Sequence, residues 1–292
     1  MNERIFFILA AILNLTVFSA RADNTNLTIG YATADFATAK AAGFDFAEVR
    51  IREFMKLSDD DFTKFAADCR TNGLPLTTAY WLLPNDLKVV GPDVKMDAVT
   101  NYFEKAFDRC QKLGVKIIVW GSGDARRAPD GFPKEKAFDQ LVALGKFLAP
   151  EAQRRGIVIV AEPLRKAEAN MINSVAEGLQ WVEAVNHPNF QLLVDIYHMA
   201  EENENMAIIV KAGAHIAHVH VSNPKGRVLP LSADEYDYMP FFKALNQIGY
   251  HGTMTIETTK VDLATDGPKA IKFIRAAYAQ AGQEVAKEIS AK

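Results

Sequence analysis

Two rhythms of apolar and polar positions run along this chain. Short stretches rich in Val, Ile, Thr and aromatic residues, at 26–33, 46–51, 75–82, 115–120, 157–163, 191–196, 217–221 and 253–258, predict eight strands. Longer stretches with helical spacing, at 58–72, 96–112, 134–155, 174–185, 205–212, 236–248 and 268–281, predict helices between them. In 96–112, Val99, Tyr102, Phe103, Ala106 and Phe107 supply the apolar positions. Asp59, Asp60 and Asp61 fill the first turn after Ser58, where negative charge complements the helix dipole. Gly73, Gly114, Gly156, Gly213 and Gly249 follow helix ends, where a left-handed residue stops a helix.

Strands alternating with helices argue for a parallel sheet. The runs at 115–120 and 157–161 are continuously apolar, as parallel strands covered by helices should be. Eight repeats in about 270 residues match an α/β fold of the closed (β/α)₈ (TIM) barrel type, whose usual size is ~250 residues. An open, doubly wound sheet competes, but no glycine-rich phosphate loop follows the first strand. No linker divides the pattern, so residues 23–292 are read as a single domain.

Residues 1–22 stand apart. Arg4 precedes an almost unbroken apolar run from Ile5 to Ser19, and Ala20-Arg21-Ala22 offers small residues at both positions a signal peptidase reads. A secretory signal is expected, with an exported product: periplasmic in a Gram-negative cell, secreted otherwise. A retained membrane anchor would need ~20 apolar residues, more than this run supplies. Export places Cys69 and Cys110 in an oxidising compartment, where a disulfide and two free thiols are both open. The chain is 49% hydrophobic with a net charge of -3, which gives no general attraction to nucleic acid or to an anionic membrane.

A barrel of this class builds its active site where strands end and loops begin. The second half of the chain places a ligand-type residue at four successive strand ends: Glu162, Asp195, His220 and Glu257. Any one alone would be a helix cap, a loop solubiliser or a satisfied core histidine. Together, three carboxylates would repel one another in a barrel mouth unless a cation offsets them. One imidazole with three carboxylates suits one divalent ion, Mn²⁺ first, then Mg²⁺ or Co²⁺. His218 shares a face with His220 but lies deeper, so it is read as structural. His187, His215 and His251 fall at strand starts or loops away from the mouth. Trp81 and Trp120 lie at strand ends, where each could stack on a sugar ring or pack the barrel. Glu48 and Arg50 on the second strand are weaker candidates for the mouth.

Glu on the fifth strand, Asp-x-x-His on the sixth, His on the seventh and Glu on the eighth resembles the xylose isomerase-like barrel superfamily of sugar isomerases and epimerases, most of all its D-tagatose/D-psicose 3-epimerase branch. The segments that carry the resemblance are Glu162-Pro163-Leu164-Arg165-Lys166-Ala167-Glu168, Asp195-Ile196-Tyr197-His198, His218-Val219-His220 and the stretch from Gly249 to Glu257. Element order matches over the whole mature chain; the motifs lie in its second half. The resemblance implies that Glu162, Asp195, His220 and Glu257 hold the metal and that Glu162 and Glu257 are an acid/base pair on opposite faces of a bound sugar. It implies substrate contacts from Glu168 and His198. It also implies one from Arg227, one residue later than the pattern places its arginine. The chemistry implied is proton removal beside a carbonyl, through an enediolate, by one carboxylate and proton return by the other.

Two loops depart from the pattern. The strand-seven histidine is followed by Ser222-Asn223-Pro224-Lys225-Gly226-Arg227 where the epimerases resembled carry Gly-Glu, and strand four ends Trp120-Gly121-Ser122-Gly123-Asp124-Ala125-Arg126-Arg127. Both lie where substrate is selected. With export, they keep a lyase or hydratase acting on 3-keto-glycosides as an alternative on the same metal site. A nuclease is disfavoured, since strands three and four supply no histidine and no basic stripe runs along the chain. A non-catalytic sugar-binding barrel would not need the opposed Glu162 and Glu257. The expected partner is a sugar or keto-sugar, and self-association is left open.

Overall fold

The structure, a computed structural model, describes residues 27–259 and 261–291. The signal expected at 1–22 lies outside the described residues. Eight parallel strands close into a barrel in sequence order: β1 Thr28–Ala32, β2 Phe46–Arg50, β3 Leu76–Tyr80, β4 Ile117–Trp120, β5 Val158–Ala161, β6 Phe190–Asp195, β7 Ile216–Val221 and β8 Thr253–Ile256. β1 pairs with both β2 and β8, so the sheet has no free edge. The (β/α)₈ barrel read from the sequence is the fold observed.

The helices are α1 Phe36–Ala42, α2 Ile51–Phe54, α3 Asp59–Thr71, α4 Met96–Leu113, α5 Lys134–Arg154, α6 Val175–Val185, α7 Ile196–Glu201, α8 Ala207–Ala212, α9 Met239–Gln247 and α10 Leu263–Ser290. The sequence pattern predicted neither α1, α2 nor α7. Each is too short to show a helical period; α1 buries only Phe36, Ala39 and Ala42. α10 starts at Leu263 rather than Pro268, because Asp262 caps it by accepting from the Thr265 N–H. Two caps follow local sequence closely. Ser58 accepts from Asp61 N–H at the start of α3. Ser174 accepts from Glu177 N–H at α6, while the Glu177 carboxylate reaches back to Asn173 N–H.

The core has two parts. Outside the barrel, strand residues pack under the helices; there Trp120 meets Trp181 edge-on at 4.9 Å between ring centroids, with Phe103 and Phe190 beside it. Trp120 is fully buried in this layer, which corrects its candidacy as a sugar-stacking residue. Its side chain leaves the sheet on the helix face, and aromatic packing has claimed it.

Inside the barrel, Tyr80, Val119, Val160 and Leu193 form a small apolar cluster. Barrel interiors are usually filled by branched aliphatic residues. Here Glu48, Thr78, His218 and Thr255 are also fully buried. The register between β2 and β3 shifts at Ala47/Glu48, and that between β6 and β7 at Leu192/Leu193, opposite Ile216 and His218.

Cys69 and Cys110 are both buried and free. Burial raises the Cys69 thiol to about 11, so it is a packing residue rather than a nucleophile. Among the described residues no helix is long and apolar enough to cross a membrane.

Candidate active site

The C-terminal ends of β5 to β8 bring Glu162, Asp195, His220 and Glu257 together, with one donor atom from each lying within 4.8 Å of the others. Nδ1 of His220 is the hub. It lies 3.3 Å from Glu162 Oε1, 3.1 Å from Glu257 Oε2 and 3.9 Å from Asp195 Oδ2. The structure brings together the four residues that the sequence singled out, and alternation along each strand is why they converge. Asp195 serves twice: Oδ1 accepts the Tyr197 N–H and caps α7 at 2.8 Å, while Oδ2 faces the cluster.

The donor set fits a divalent cation. Donor separations of 3.1 to 3.9 Å suit ligands ~2.0–2.3 Å from a common centre. Nδ1 of His220 is buried with no hydrogen-bond partner, although three carboxylates face it. Such an orphaned atom is expected where a ligand bond would satisfy it. Burial alone would favour the neutral ring, but Glu48, Glu162 and Glu257 outweigh it and hold the His220 pKa well above the imidazole range. Burial likewise pushes the Glu257 carboxyl up, and the charges of Arg227 and His220 overcome it, leaving Glu257 well below the ordinary carboxylate range.

Gly121, at the end of β4, makes room for this cluster. A Cβ there would collide with Oε2 of Glu162. Arg126 holds the same strand ends from behind. It is fully buried and donates to Trp120 O at 2.9 Å and to Glu162 O at 2.7 Å. Burial lowers its pKa to about 10, still charged at neutral pH. Sequence reasoning passed over Arg126. An arginine in a glycine-containing loop carries no periodic signal, and only the fold shows that it faces two backbone carbonyls.

Trp81, Glu168, His198 and Arg227, expected from the sequence to meet substrate, line a cavity of about 360 Å³ together with Glu162 and Glu257, among others. Nδ1 of His198 accepts the Arg165 N–H at 3.3 Å. The ring proton is therefore on Nε2, which points at Glu162 and Asp195 from 3.9 and 3.7 Å. Glu168 is bound by Arg165 at 2.7 Å. Arg227 donates to Asp195 at 3.1 Å and Glu257 at 2.6 Å. Arg227 sits in the turn from Asn223 to Val228, where Gly226 and Arg227 take φ of +88° and +52°. Trp81 also has a left-handed φ, +52°, and carries the guanidinium groups of Arg50 and Arg52 over its ring at 4.3 and 3.6 Å.

Other early candidates resolve differently. Arg50 faces Tyr80, donating to its hydroxyl at 2.7 Å. Glu48 is not at the mouth but fully buried beneath His220. His218 lies in the same deeper layer, with Nδ1 2.7 Å from the Thr253 hydroxyl. His187 and His215 bond to Asn189 and Gln191 near the start of β6, and His251 is exposed before β8. A larger, more apolar cavity of about 590 Å³, lined by Tyr31, Phe36, Phe54 and Phe65 among others, includes none of the four donors. Glu162 and Glu257 line the smaller one.

Known proteins agree with this architecture. A probable ketose 3-epimerase from Synechocystis sp. is 26% identical over 234 residues, 76% of this chain and 77% of its own. A 3-dehydro-D-guloside 4-epimerase from Escherichia coli is 25% identical over 229 residues, covering 76% of this chain and 85% of its own. The crystal structure of a D-psicose 3-epimerase in the presence of D-fructose superposes with a TM-score of 0.71 at 22% identity, over 89% of this chain and 99% of that one. The model of one family matches residues 36–287, nearly the whole barrel. This chain belongs to the xylose isomerase-like TIM barrel family.

Proposed function

We propose that the protein is a divalent-metal-dependent epimerase or isomerase of a keto-sugar, with Glu162 and Glu257 as its paired acid and base. The observation that carries this reading is the convergence of Glu162, Asp195, His220 and Glu257 on one point at the floor of a polar cavity. Mn²⁺ is the ion proposed for the site, with Mg²⁺ and Co²⁺ as substitutes. A bound cation would polarise a substrate carbonyl and stabilise the charge that develops on its oxygen.

The chain's own groups would do the rest. A carbon acid beside a carbonyl needs a base on one face of the sugar and an acid on the other. Glu162 from β5 and Glu257 from β8 supply two carboxylates from different strands of the barrel wall. Nε2–H of His198 can donate to a substrate oxygen, because Nδ1 is already occupied by the Arg165 N–H. Arg227, kept charged by Glu257 and Asp195 despite its burial, offers a second donor. Glu168 and Trp81 line the approach.

A 3-keto-glycoside is the second substrate class. It is favoured by the relative named as a 3-dehydro-D-guloside 4-epimerase and by the loops after β4 and β7, which depart from the ketose epimerase pattern. With such a substrate, loss of a leaving group from the β-carbon would give a lyase. Export, proposed from the apolar leader at 5–19, would put the enzyme where unphosphorylated sugars and glycosides are released.

The test is chelator-stripped protein, with Mn²⁺ restored in D₂O and free ketoses or 3-keto-glycosides followed by proton NMR. Metal-dependent deuterium uptake beside the carbonyl is expected, and the product separates epimerase, isomerase and lyase. Metal binding without exchange on any substrate would turn the reading toward a sugar-binding barrel.

A further inference from the structure

The interior of the barrel holds an acidic residue that none of the proposed chemistry uses. Glu48 projects from β2 below the mouth and is fully buried. Among the described residues, the only basic groups within ion-pair distance of its carboxylate are two imidazoles. Oε1 lies 3.4 Å from Nε2 of His218, and Oε2 lies 3.1 Å from Nε2 of His220. A buried carboxylate without a lysine or arginine must be compensated by hydrogen bonds, or it is strongly destabilising.

The two histidines differ in what they can offer. His218 is held on both ring nitrogens by hydroxyls: Nδ1 by Thr253 at 2.7 Å and Nε2 by Thr255 at 3.2 Å. His220 has no hydroxyl on either nitrogen. Neither of its nitrogens meets a well-aligned acceptor, so distance and enclosure decide the pairing. Its Nε2 faces Glu48 and its Nδ1 faces Glu162, Asp195 and Glu257. The irregular register at Ala47/Glu48 lies where Glu48 is set into the barrel.

We infer that Glu48 is the positioning residue of the metal centre: it accepts the Nε2 proton of His220, fixes that ring's tautomer and orientation, and so presents the Nδ1 lone pair to the cation. A carboxylate behind a ligating histidine orients the ring and raises its basicity, and loss of such a partner typically weakens metal binding 10–100-fold. The inference rests on the metal reading proposed above. His218, anchored by Thr253 and Thr255, packs beside the other oxygen of Glu48 at 3.4 Å.

The experiment measures metal affinity directly, by competition of Mn²⁺ between a chelator and the full chain, for wild type and for Glu48→Gln and Glu48→Asp. Thermal melts of the metal-free forms are run alongside. A roughly 10–100-fold weaker Mn²⁺ affinity is expected for Glu48→Gln, with its metal-free melting temperature unchanged or raised because a buried charge has gone. Equal affinity in a folded Glu48→Gln would overturn the inference while leaving the metal site intact. No binding by wild type would instead sink the metal reading itself. If both variants fail to fold, ¹⁵N-histidine NMR of zinc-loaded wild type still decides. Protonated Nε2 and metal-bound Nδ1 at His220 are expected, and the reverse assignment overturns the role given to Glu48.

Discussion

Arg227 donates from Nη2 to Oε2 of Glu257 at 2.6 Å, and that same oxygen lies 3.1 Å from Nδ1 of His220. The guanidinium therefore holds an oxygen of the cluster proposed to bind the metal. A fixed positive charge at the edge of the cluster offsets carboxylate repulsion and opposes the entry of a divalent ion.

Removing that charge should have opposite effects on metal and sugar. For Arg227→Met, Mn²⁺ affinity is expected to rise several-fold, equivalent to about 1 kcal/mol at the effective dielectric of a site open to solvent. Affinity for the sugar is expected to fall as its donor is lost. Chelator competition and KM measured at saturating metal separate the two. A fall in both would mean that Arg227 organises the donors rather than competing with the ion.

Glu162→Gln and Glu257→Gln each keep the size of the side chain and an oxygen donor but remove a proton acceptor. Turnover is expected to drop by about 10²–10⁴ in either variant. Sugar binding to the metal-loaded protein should persist, as calorimetry can check. Retained turnover in one variant would leave the other glutamate as the sole proton-transfer group, and the paired mechanism would fail.

Arg126 joins the ends of β4 and β5 by donating to the Trp120 and Glu162 carbonyls. Arg126→Met leaves the Glu162 carbonyl buried without its side-chain donor, and the Trp120 carbonyl with only the Glu162 N–H at 3.2 Å. The expected loss is about 3 kcal/mol, which lowers Tm by roughly 6–12 °C in a domain of this size. The Glu162 end of the metal site should loosen with it. A Tm within ~2 °C of wild type would show that water or backbone adjustment satisfies those carbonyls.

The pH dependence of stability should carry a signature from Glu204. Its carboxylate accepts the Val175 N–H at 2.8 Å, and burial pushes its pKa up to about 7. An unfolded glutamate titrates near ~4.3. Between those values the folded state keeps a proton that the unfolded chain has lost, so this contribution is present at low pH and fades as pH rises toward 7. Glu204→Gln keeps the acceptor and removes the titration. Tm is expected to rise by no more than about 3 °C at pH 8, because the group is partly solvated. Parallel Tm–pH curves for the two proteins would show that burial does not perturb Glu204.

The four residues of the proposed metal cluster were legible because strand ends are legible. Apolar runs such as Val115–Trp120 and Ile157–Ala161 mark strands, and a polar residue closing such a run must fall at the barrel mouth. Trp120 was not legible in the same way. It closes its strand as Tyr80 closes β3, yet Trp120 faces the helices and Tyr80 the interior. A one-residue difference in phase decides the face, and strands of four or five residues are too short for composition to reveal it.

By itself, the sequence determined the alternation of elements, the closed count of eight and the residue types at each strand end, because these depend on periodicity and local chemistry. The tertiary structure decided which side chains meet. Glu48 reaches the back of His220 across the barrel from β2 to β7. Arg126 reaches back to the strand ends, and the turn at Gly226 and Arg227 brings the Arg227 guanidinium onto Glu257. These are contacts between segments far apart in the chain or set by unusual backbone angles. No local pattern encodes them; they exist only once the sheet has closed and its register is set.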